Sequence, residues 1–199
     1  MFVQVIEGKV ADRDGLQRQL DRWLTDLRPT AKGFLGSTGG VAADGRGVLI
    51  ARFESAEDAQ ANSGRPEQGA WWSETEKCFD GAVQFSDSTE VDSWMAGGSD
   101  EAGFVQIMKG RGKRAELLAM DKLFEQHAAA WRPEIIGGLR VWTGPDSYVE
   151  AAYFTSEAAA REGEKKPPPA ALAENMGDYE KLMEGVEFID LPEPRMLSA

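Results

Sequence analysis

The chain contains a single histidine, His127, and its chemistry is the first to consider. An imidazole titrates at a pKa of about 6.5, so it is the side chain best suited to exchanging protons near neutral pH. Phe124, Ala128 and Trp131 recur around His127 at helical spacing, which places it on the buried stripe of a predicted helix. Such a residue is either a general base or acid in a pocket, or a core histidine whose ring N–H is bonded to a neighbour.

Two glutamines, Gln4 and Gln106, occupy strand positions that a buried face normally gives to apolar residues. Gln4 lies between Phe2 and Ile6 on one face of its predicted strand, and Gln106 has equivalent neighbours. A buried carboxamide needs partners for up to about four hydrogen bonds. Each glutamine therefore either bonds to a neighbouring loop or helix end, or donates to an oxygen atom of a substrate.

Composition and charge narrow the classes of function. The chain has 199 residues, with 34 acidic against 22 basic side chains and a formal net charge of −12. This balance disfavours nucleic acid and anionic membranes as partners, since both attract basic surfaces. A single cysteine excludes a disulfide framework and most thiolate metal sites. No GxGxxG, P-loop or HExxH motif is present, so we expect no cofactor and no metal.

The N-terminal residues favour a cytoplasmic protein. Residues 1–6 alternate as a strand instead of forming the apolar core of a signal peptide. No apolar run is long enough to cross a membrane, and the single cysteine suits a reducing compartment.

The sequence contains an internal repeat. The segment 2–9, FVQVIEGK, recurs as FVQIMKGR at 104–111, and 52–55 recurs as 153–156. The spacing between matching segments is nearly constant along the chain, so small insertions must lie in loops. A period of this length is too long for a solenoid and indicates a duplicated domain.

The repeat sets the expected domain boundaries. We predict a first repeat at 1–92, a linker at 93–103, a second repeat at 104–191 and a C-terminal tail at 192–199. The linker is rich in Gly, Ser and Asp, and its Trp94 is expected to anchor it to the body of the protein.

Each repeat has the pattern β-α-β-β-α-β. The predicted strands are 2–8, 34–41, 48–54, 82–85, 104–110, 138–143, 148–154 and 185–190. The predicted helices are 14–27, 55–63, 66–80, 114–131, 156–163 and 169–184. This is the split βαβ, ferredoxin-like pattern of an α+β protein. Its sheet is covered by helices on one face only, and a second copy can cover the other face.

The chain resembles the dimeric α+β barrel superfamily, and within it the antibiotic-biosynthesis monooxygenase-like family. The similarity lies in Gly33-Phe-Leu-Gly36 before the hairpin, Ala51-Arg-Phe-Glu-Ser55 after it, and a second helix that carries tryptophan. The resemblance implies two ferredoxin-like βαββαβ repeats packed sheet to sheet as a pseudo-dimeric α+β barrel. It also implies a monomeric pseudo-dimer or a weak homodimer.

The resemblance further implies a pocket between the helices and the sheet of each repeat. The first pocket is expected to hold Gln4, Trp23, Trp71 and Arg52. Alignment of the two copies predicts that Trp72 lies in the core and that Trp71 lies at its edge, where Trp71 either walls the pocket or packs at the surface.

The second pocket is expected to hold Gln106, His127, Trp131, Tyr153 and Trp142. Two further polar residues on second-copy strands, Arg140 and Glu150, are predicted to form salt bridges at the rim or an interface.

Three functions are compatible with these residues. The first is a cofactor-independent monooxygenase for a small aromatic, polyketide or quinol-type substrate, with His127 as base, Gln106 and Tyr153 as donors and Trp131 as wall. The second is a non-catalytic, small-molecule-binding or stress-associated protein of the same fold. The third is a haem-binding or haem-degrading protein, which is disfavoured because haem-degrading relatives carry their axial histidine on the other helix.

Overall fold

Alternating apolar residues form two five-stranded antiparallel sheets in the computed structural model of the chain. The structure describes residues 1–198, except for the side chains of Met176 and Asp178. One unit comprises Met1–Thr89 together with the residues from Arg195 onward, and the other comprises Glu90–Pro194.

The elements follow the predicted order in each unit. The strands are β1 (Phe2–Lys9), β2 (Phe34–Val41), β3 (Arg46–Phe53), β4 (Gln84–Ser88), β5 (Val91–Met95), β6 (Phe104–Arg111), β7 (Ile135–Trp142), β8 (Ser147–Phe154), β9 (Glu187–Leu191) and β10 (Arg195–Ser198). The helices are α1 (Arg13–Arg22), α2 (Ala56–Ser63), α3 (Pro66–Thr75), α4 (Arg114–Trp131), α5 (Glu157–Glu164), α6 (Ala170–Ala173) and α7 (Met176–Leu182).

The two sheets have the same topology, which confirms the duplicated α+β fold. The strand orders are β10-β2-β3-β1-β4 and β5-β7-β8-β6-β9, with equivalent strands in equivalent places. The registers also match, since Phe2 lies opposite Phe53 and Phe104 lies opposite Phe154. Each unit is therefore a ferredoxin-like repeat with one additional edge strand.

The additional edge strands were not predicted. Val91–Met95 pairs with β7, across the predicted boundary between the first repeat and the linker, and Arg195–Ser198 pairs with β2, in the predicted C-terminal tail. Pro192 and Pro194 precede β10 and do not interrupt it, and an edge position needs only one row of ladder hydrogen bonds. Trp94 of β5 is 8% exposed, which confirms its predicted role as an anchor.

The helices of each unit pack on one face of its sheet, which we call the helix-facing side. In the first unit a buried cluster on this side includes Phe2, Phe34 and Phe53, with Trp23 packed against it. Because strand side chains alternate, Gln4 lies on the helix-facing side with Phe2.

The end of the first helix differs from an ordinary α-helix. After Arg22 the chain continues as a π-helical turn, Trp23–Leu27, and a short 3₁₀ turn that contains Pro29. Arg28, the residue before Pro29, keeps helical dihedral angles, and the chain leaves the helix through the tighter 3₁₀ turn that follows. Among the described helices, none is both long and apolar enough to cross a membrane.

The packing of Trp94 on β7 makes a testable prediction. A Cβ atom added at Gly138 would lie 2.1 Å from Cε2 of the Trp94 ring, so Gly138→Ala should lower the free energy of unfolding by about 1–3 kcal/mol. Gly69→Ala is the control, because Gly69 lies inside α3 with open space around it. That change should raise stability by about 0.5–1 kcal/mol in chemical denaturation. Equal stability of the two variants would contradict the described position of Trp94.

Candidate functional site

Both candidate glutamines are bonded to an aspartate on the neighbouring edge strand. Gln4 Nε2 donates to Asp87 Oδ1 at 2.9 Å, and Gln106 Nε2 donates to Asp190 Oδ1 at 2.9 Å. In the second repeat Arg161 also donates to Asp190. These contacts orient each carboxamide on the helix-facing side, and they satisfy one of its two N–H groups.

His127 is half-buried on α4, one turn after Phe124 and one turn before Trp131. The Phe124 ring contacts those of Trp94 and Trp131, with centroids 5.7 and 6.0 Å apart. Within residues 1–198 the imidazole makes no hydrogen bond or ion pair to a described side chain or backbone group. The structure therefore gives no support to a core histidine held by a bonded ring N–H.

Trp131 is half-buried beside His127. Its indole N–H is buried and has no hydrogen-bond partner among the described residues. The guanidinium of Arg132 lies 5.8 Å from the centre of the Trp131 ring. A buried donor without an acceptor is unfavourable, and an oxygen atom of a bound ligand could satisfy it.

The tryptophans of the first repeat connect its two main helices. Trp23 Nε1 of the turn after α1 donates to Gln68 Oε1 of α3 at 3.0 Å, and Trp71 Nε1 of α3 donates to the Gln19 carbonyl of α1 at 2.8 Å. We call these two hydrogen bonds the indole bridge. Both N–H groups are satisfied within the protein, so neither points freely at a ligand.

The predicted arrangement of Trp71 and Trp72 is wrong. Trp71 is 6% exposed and lies in a buried stripe with Thr75 and Cys78, whereas Trp72 is half-buried with its ring against Phe85. The alignment failed because the second copy has no continuous equivalent of α3. Its helix is interrupted between α6 and α7, which changes the phase of the stripe.

Two predicted site residues lie on the other side of their sheets. Gln106 is opposite Ala152, so the next residue, Tyr153, points away from the helices. The same register in the first repeat places Arg52 on the side opposite to Gln4. Tyr153 therefore does not lie on the same side of its sheet as Gln106, and Arg52 does not lie on the same side as Gln4.

Trp142 is on the helix-facing side but is part of the core. It is 4% exposed, and its Nε1 donates to Asp92 Oδ2 at 2.7 Å. Asp92 also accepts a hydrogen bond from Arg114 Nη2 at 2.6 Å, and the Trp142 ring packs edge-on against Tyr148. The Trp142 side chain is therefore held in the core by these contacts and cannot form the wall of a pocket.

A buried charged cluster, the Arg140 network, is made of Arg140, Glu150, Asp121 and Trp94, and its burial and the role of Asp121 were not predicted. Arg140 Nε donates to Glu150 Oε2 at 2.6 Å, and its Nη1 and Nη2 donate to Asp121 at 2.6 and 3.0 Å. Trp94 Nε1 donates to Glu150 Oε1 at 2.7 Å. The prediction that Arg140 and Glu150 form salt bridges is confirmed. Each residue is 3% exposed, so the predicted place at the rim is wrong.

The pairing of β7 with β8 contains a signal for this network. Arg140 and Glu150 are directly paired across β7 and β8, and the equivalent pair in the first repeat is Gly39 and Leu49. Burial raises the pKa of the Glu150 carboxyl, although Arg140 opposes the shift. Burial would lower the pKa of Arg140, but its bonds to Asp121 and the charge of Glu150 raise it.

Two tyrosines lie within the electric field of the Arg140 network. Burial raises the pKa of Tyr148 to about 12, and the Glu150 carboxylate adds to the shift. Partial burial also raises the pKa of Tyr179 on α7, again with a contribution from Glu150, although 40% of this residue is exposed. Both phenols therefore stay protonated at neutral pH, and each can donate its O–H in a hydrogen bond.

Several solved structures have the same fold along their whole length. One is a protein from Lactobacillus acidophilus described as a candidate monooxygenase, 13% identical, covering 99% of each chain with a TM-score of 0.69. Another candidate monooxygenase, from Fusobacterium nucleatum, is 6% identical and covers 99% of this chain and 94% of its own, with a TM-score of 0.72. An anthrone oxidase-like protein is 15% identical, covering 100% and 96%, with a TM-score of 0.62.

The chain has the same tandem fold as these two candidate monooxygenases and the anthrone oxidase-like protein. No family model matches the sequence, and neither does any curated protein. These structures are 6–15% identical to the chain in sequence, and a similarity at that level establishes only that the fold is shared. The chemistry of the chain must be argued from the residues of its own site.

The described part of the chain contains no group of three His, Cys, Asp or Glu side chains that could hold a metal ion. The candidate groups on the helix-facing side of the second repeat and on the helices that cover it are instead an imidazole, a carboxamide, a phenol and an indole N–H. They belong to His127, Gln106, Tyr179 and Trp131. Such a set can take up a proton and donate hydrogen bonds to an oxygen atom.

The Arg140 network predicts a large and pH-dependent loss of stability in Arg140→Met. The change leaves the carboxylates of Glu150 and Asp121 without their guanidinium, which should cost about 3–5 kcal/mol in chemical denaturation. Acidification should reduce this cost, because protonation removes the buried charges. Arg111→Met is the control, since its ion pair with Asp146 joins side chains that are 75% and 49% exposed. It should change stability by about 0–1 kcal/mol. A cost for Arg140→Met as small as that, or one independent of pH, would contradict the buried network.

Proposed function

We propose that the chain is a cofactor-independent, monooxygenase-like enzyme for a small aromatic substrate of the polyketide or quinol type. The substrate lies on the helix-facing side of the second repeat, between α4 and the α6–α7 segment. His127 acts as the base, and Trp131 forms part of the wall.

The observation that carries this proposal is the half-buried and unbonded imidazole of His127. His127 lies one helical turn before Trp131 on α4. The indole N–H of Trp131 is buried and has no hydrogen-bond partner among the described residues. A proton acceptor and a vacant donor next to each other suit a ligand that loses a proton and gains negative charge on oxygen.

The chemistry needs only these groups, the substrate and molecular oxygen. Neutral His127 removes a proton from an anthrone or phenol, and hydrogen bonds from Trp131, Gln106 or Tyr179 stabilise the resulting oxyanion. The electron-rich anion reduces O₂, with the new C–O bond replacing C–H bonds at an anthrone methylene. One oxygen atom enters the substrate as a carbonyl, and the other leaves as water with the two displaced hydrogens.

A second candidate function is binding without turnover. The bonds from Gln4 and Gln106 to their neighbouring aspartates favour it, because a carboxamide held by a carboxylate has fewer donors for an oxyanion. In this case the pocket would hold the same class of aromatic ligand, and no oxygen would be consumed.

Oxygen uptake separates the two functions. With 1,8-dihydroxyanthrone as substrate, the wild-type protein should consume oxygen above the uncatalysed rate, and His127→Ala should lower kcat/KM by about 10²–10³-fold. Gln126→Ala is the matched control, because Gln126 is the exposed neighbour of His127 on the same helix.

A panel of anthrones and quinols that bind without oxygen uptake would leave binding as the function. Uptake that survives His127→Ala unchanged would remove His127 as the base, whatever the substrate.

A further inference from the structure

Backbone hydrogen bonds match the two repeats residue for residue just after their first long helix. The N–H of Glu54 donates to the carbonyl of Gly33 at 2.8 Å, and the N–H of Thr155 donates to the carbonyl of Glu134 at 2.9 Å. Glu134 therefore takes the place of Gly33, immediately before the second strand of its repeat. The second repeat has a carboxylate at a position where the first repeat has no side chain.

The helix after the third strand can be matched in the same way. The N–H of Arg65 donates to the carbonyl of Asn62 at 3.3 Å, and the N–H of Lys166 donates to the carbonyl of Gly163 at 3.1 Å. Gly163 therefore takes the place of Asn62. A Cβ atom added at Gly163 would lie 1.8 Å from Oε1 of Glu134, so a larger residue there would displace this carboxylate.

The space for the carboxylate is filled differently in the first repeat. A Cβ atom added at Gly33 would lie 2.6 Å from Cγ of Asp58. Ala159 takes the place of Asp58, because the N–H groups of both residues donate to the serine that caps their helix. The second repeat thus combines Glu134 with two small residues that leave room for it. Such matched differences indicate that this carboxylate has a role in the second repeat alone.

The Glu134 carboxylate binds two cations that contact Trp131. Glu134 is 6% exposed, accepts a hydrogen bond from Nε of Arg132 and lies 3.7 Å from Nζ of Lys166. The Arg132 guanidinium lies 5.8 Å from the centre of the Trp131 ring, and Lys166 Nζ donates to the Trp131 carbonyl at 3.3 Å. We call Glu134, Arg132 and Lys166 the Glu134 cluster. It holds both the ring and the backbone of Trp131.

The first repeat has a satisfied hydroxyl where the second has this indole. Thr30 lies at the position equivalent to Trp131, three residues before the matched carbonyl. Its hydroxyl donates to the carbonyl of Leu27 at 3.2 Å and accepts a hydrogen bond from Nη1 of Arg65. The Trp131 N–H is instead buried, with no hydrogen-bond partner among the described residues. An unpaired buried donor is unfavourable until an acceptor reaches it.

We propose that the indole N–H of Trp131 binds an oxygen atom of an aromatic ketone or phenol, and that Glu134 is the positioning residue that holds the indole for this contact. A buried ion pair adds little net stability compared with apolar residues of similar volume, so stability alone does not account for the Glu134 cluster. The hydrogen bond favours ligands with an oxygen at this point, since any other ligand leaves the N–H unpaired. The ligand class rests on the proposed function, whereas selection for the oxygen can be tested without turnover.

The first experiment compares 9-fluorenone with fluorene, which has a methylene in place of the carbonyl group. Affinities are measured by calorimetry without oxygen, so that neither probe is oxidised. The wild-type protein should bind fluorenone about tenfold more tightly than fluorene. Trp131→Phe should bind both probes equally, because phenylalanine has no N–H to donate.

The same two probes test the role of Glu134. Glu134→Gln should weaken fluorenone binding by about fivefold and leave fluorene binding unchanged, because only the hydrogen bond depends on the position of the indole. Arg132→Lys is a second variant with the same expected result, since it keeps the charge without the planar guanidinium. Glu162→Gln is the matched control on α5 and should change neither affinity, because its ion pair with Lys165 joins side chains that are 71% and 68% exposed.

Equal affinity of the wild type for both probes would overturn the proposal. Binding of neither probe would overturn it as well, and would also count against the substrate class of the proposed function. An equal loss for both probes in Glu134→Gln would show that Glu134 only supports the fold. A preference for fluorenone without oxygen uptake from anthrones would support this proposal and remove the proposed enzyme.

The second experiment observes the indole N–H directly by NMR. The chain has six tryptophans, and Trp131→Phe identifies the resonance of Trp131 by removing it from the spectrum. Fluorenone should move this N–H resonance downfield, as a new hydrogen bond requires, and fluorene should not. A Trp131 resonance that does not move when fluorenone binds would contradict the proposed contact.

Discussion

Side chains of each sheet point alternately towards the helices and away from them, and this two-residue period governs which polar groups can meet. Gln106, Arg140 and Glu150 share the helix-facing side of the second sheet because their registers place them there. Tyr153, one residue beyond the partner of Gln106, is excluded from that side by the same register. Any chemistry in this protein must be assembled from the residues that one face of a sheet and its helices present.

Duplication within one chain has allowed the two faces to diverge. The first repeat has Gly39 opposite Leu49 and helices joined by tryptophan N–H groups. The second repeat has a buried ion-paired floor and a helix interrupted between α6 and α7. A symmetric dimer of identical subunits must change both sites together, whereas the two repeats of a fused pair can change independently.

Much of the fold could be predicted from the sequence, because it follows from local patterns. Apolar alternation, glycine turns and the recurrence of FVQ at 2–4 and 104–106 define the repeats and most of their elements. The edge strands β5 and β10 were missed because each is short and lies in a segment rich in turn residues. These two segments adopt the strand conformation because each pairs with a strand that is distant in sequence. Such long-range pairing cannot be detected from the pattern of apolar residues within the segment itself.

The candidate site was less predictable, because it depends on contacts between elements. His127 and Gln106 were found as polar residues on apolar stripes. Trp71 was misplaced because the comparison assumed that both repeats have the same second helix. The Arg140 network was missed because burial of an ion pair depends on three elements at once, and Asp121 lies on a helix far from the strands in sequence.

The single histidine gives the most direct test of the site. One imidazole produces one Cε1–H resonance in the NMR spectrum, so His127 reports on its surroundings without assignment ambiguity. Titration with a non-reactive dihydroxyanthraquinone should shift this resonance, with the same dissociation constant as the quenching of tryptophan fluorescence. A ligand that quenches tryptophan fluorescence but leaves the His127 resonance unmoved would place binding elsewhere and contradict this account.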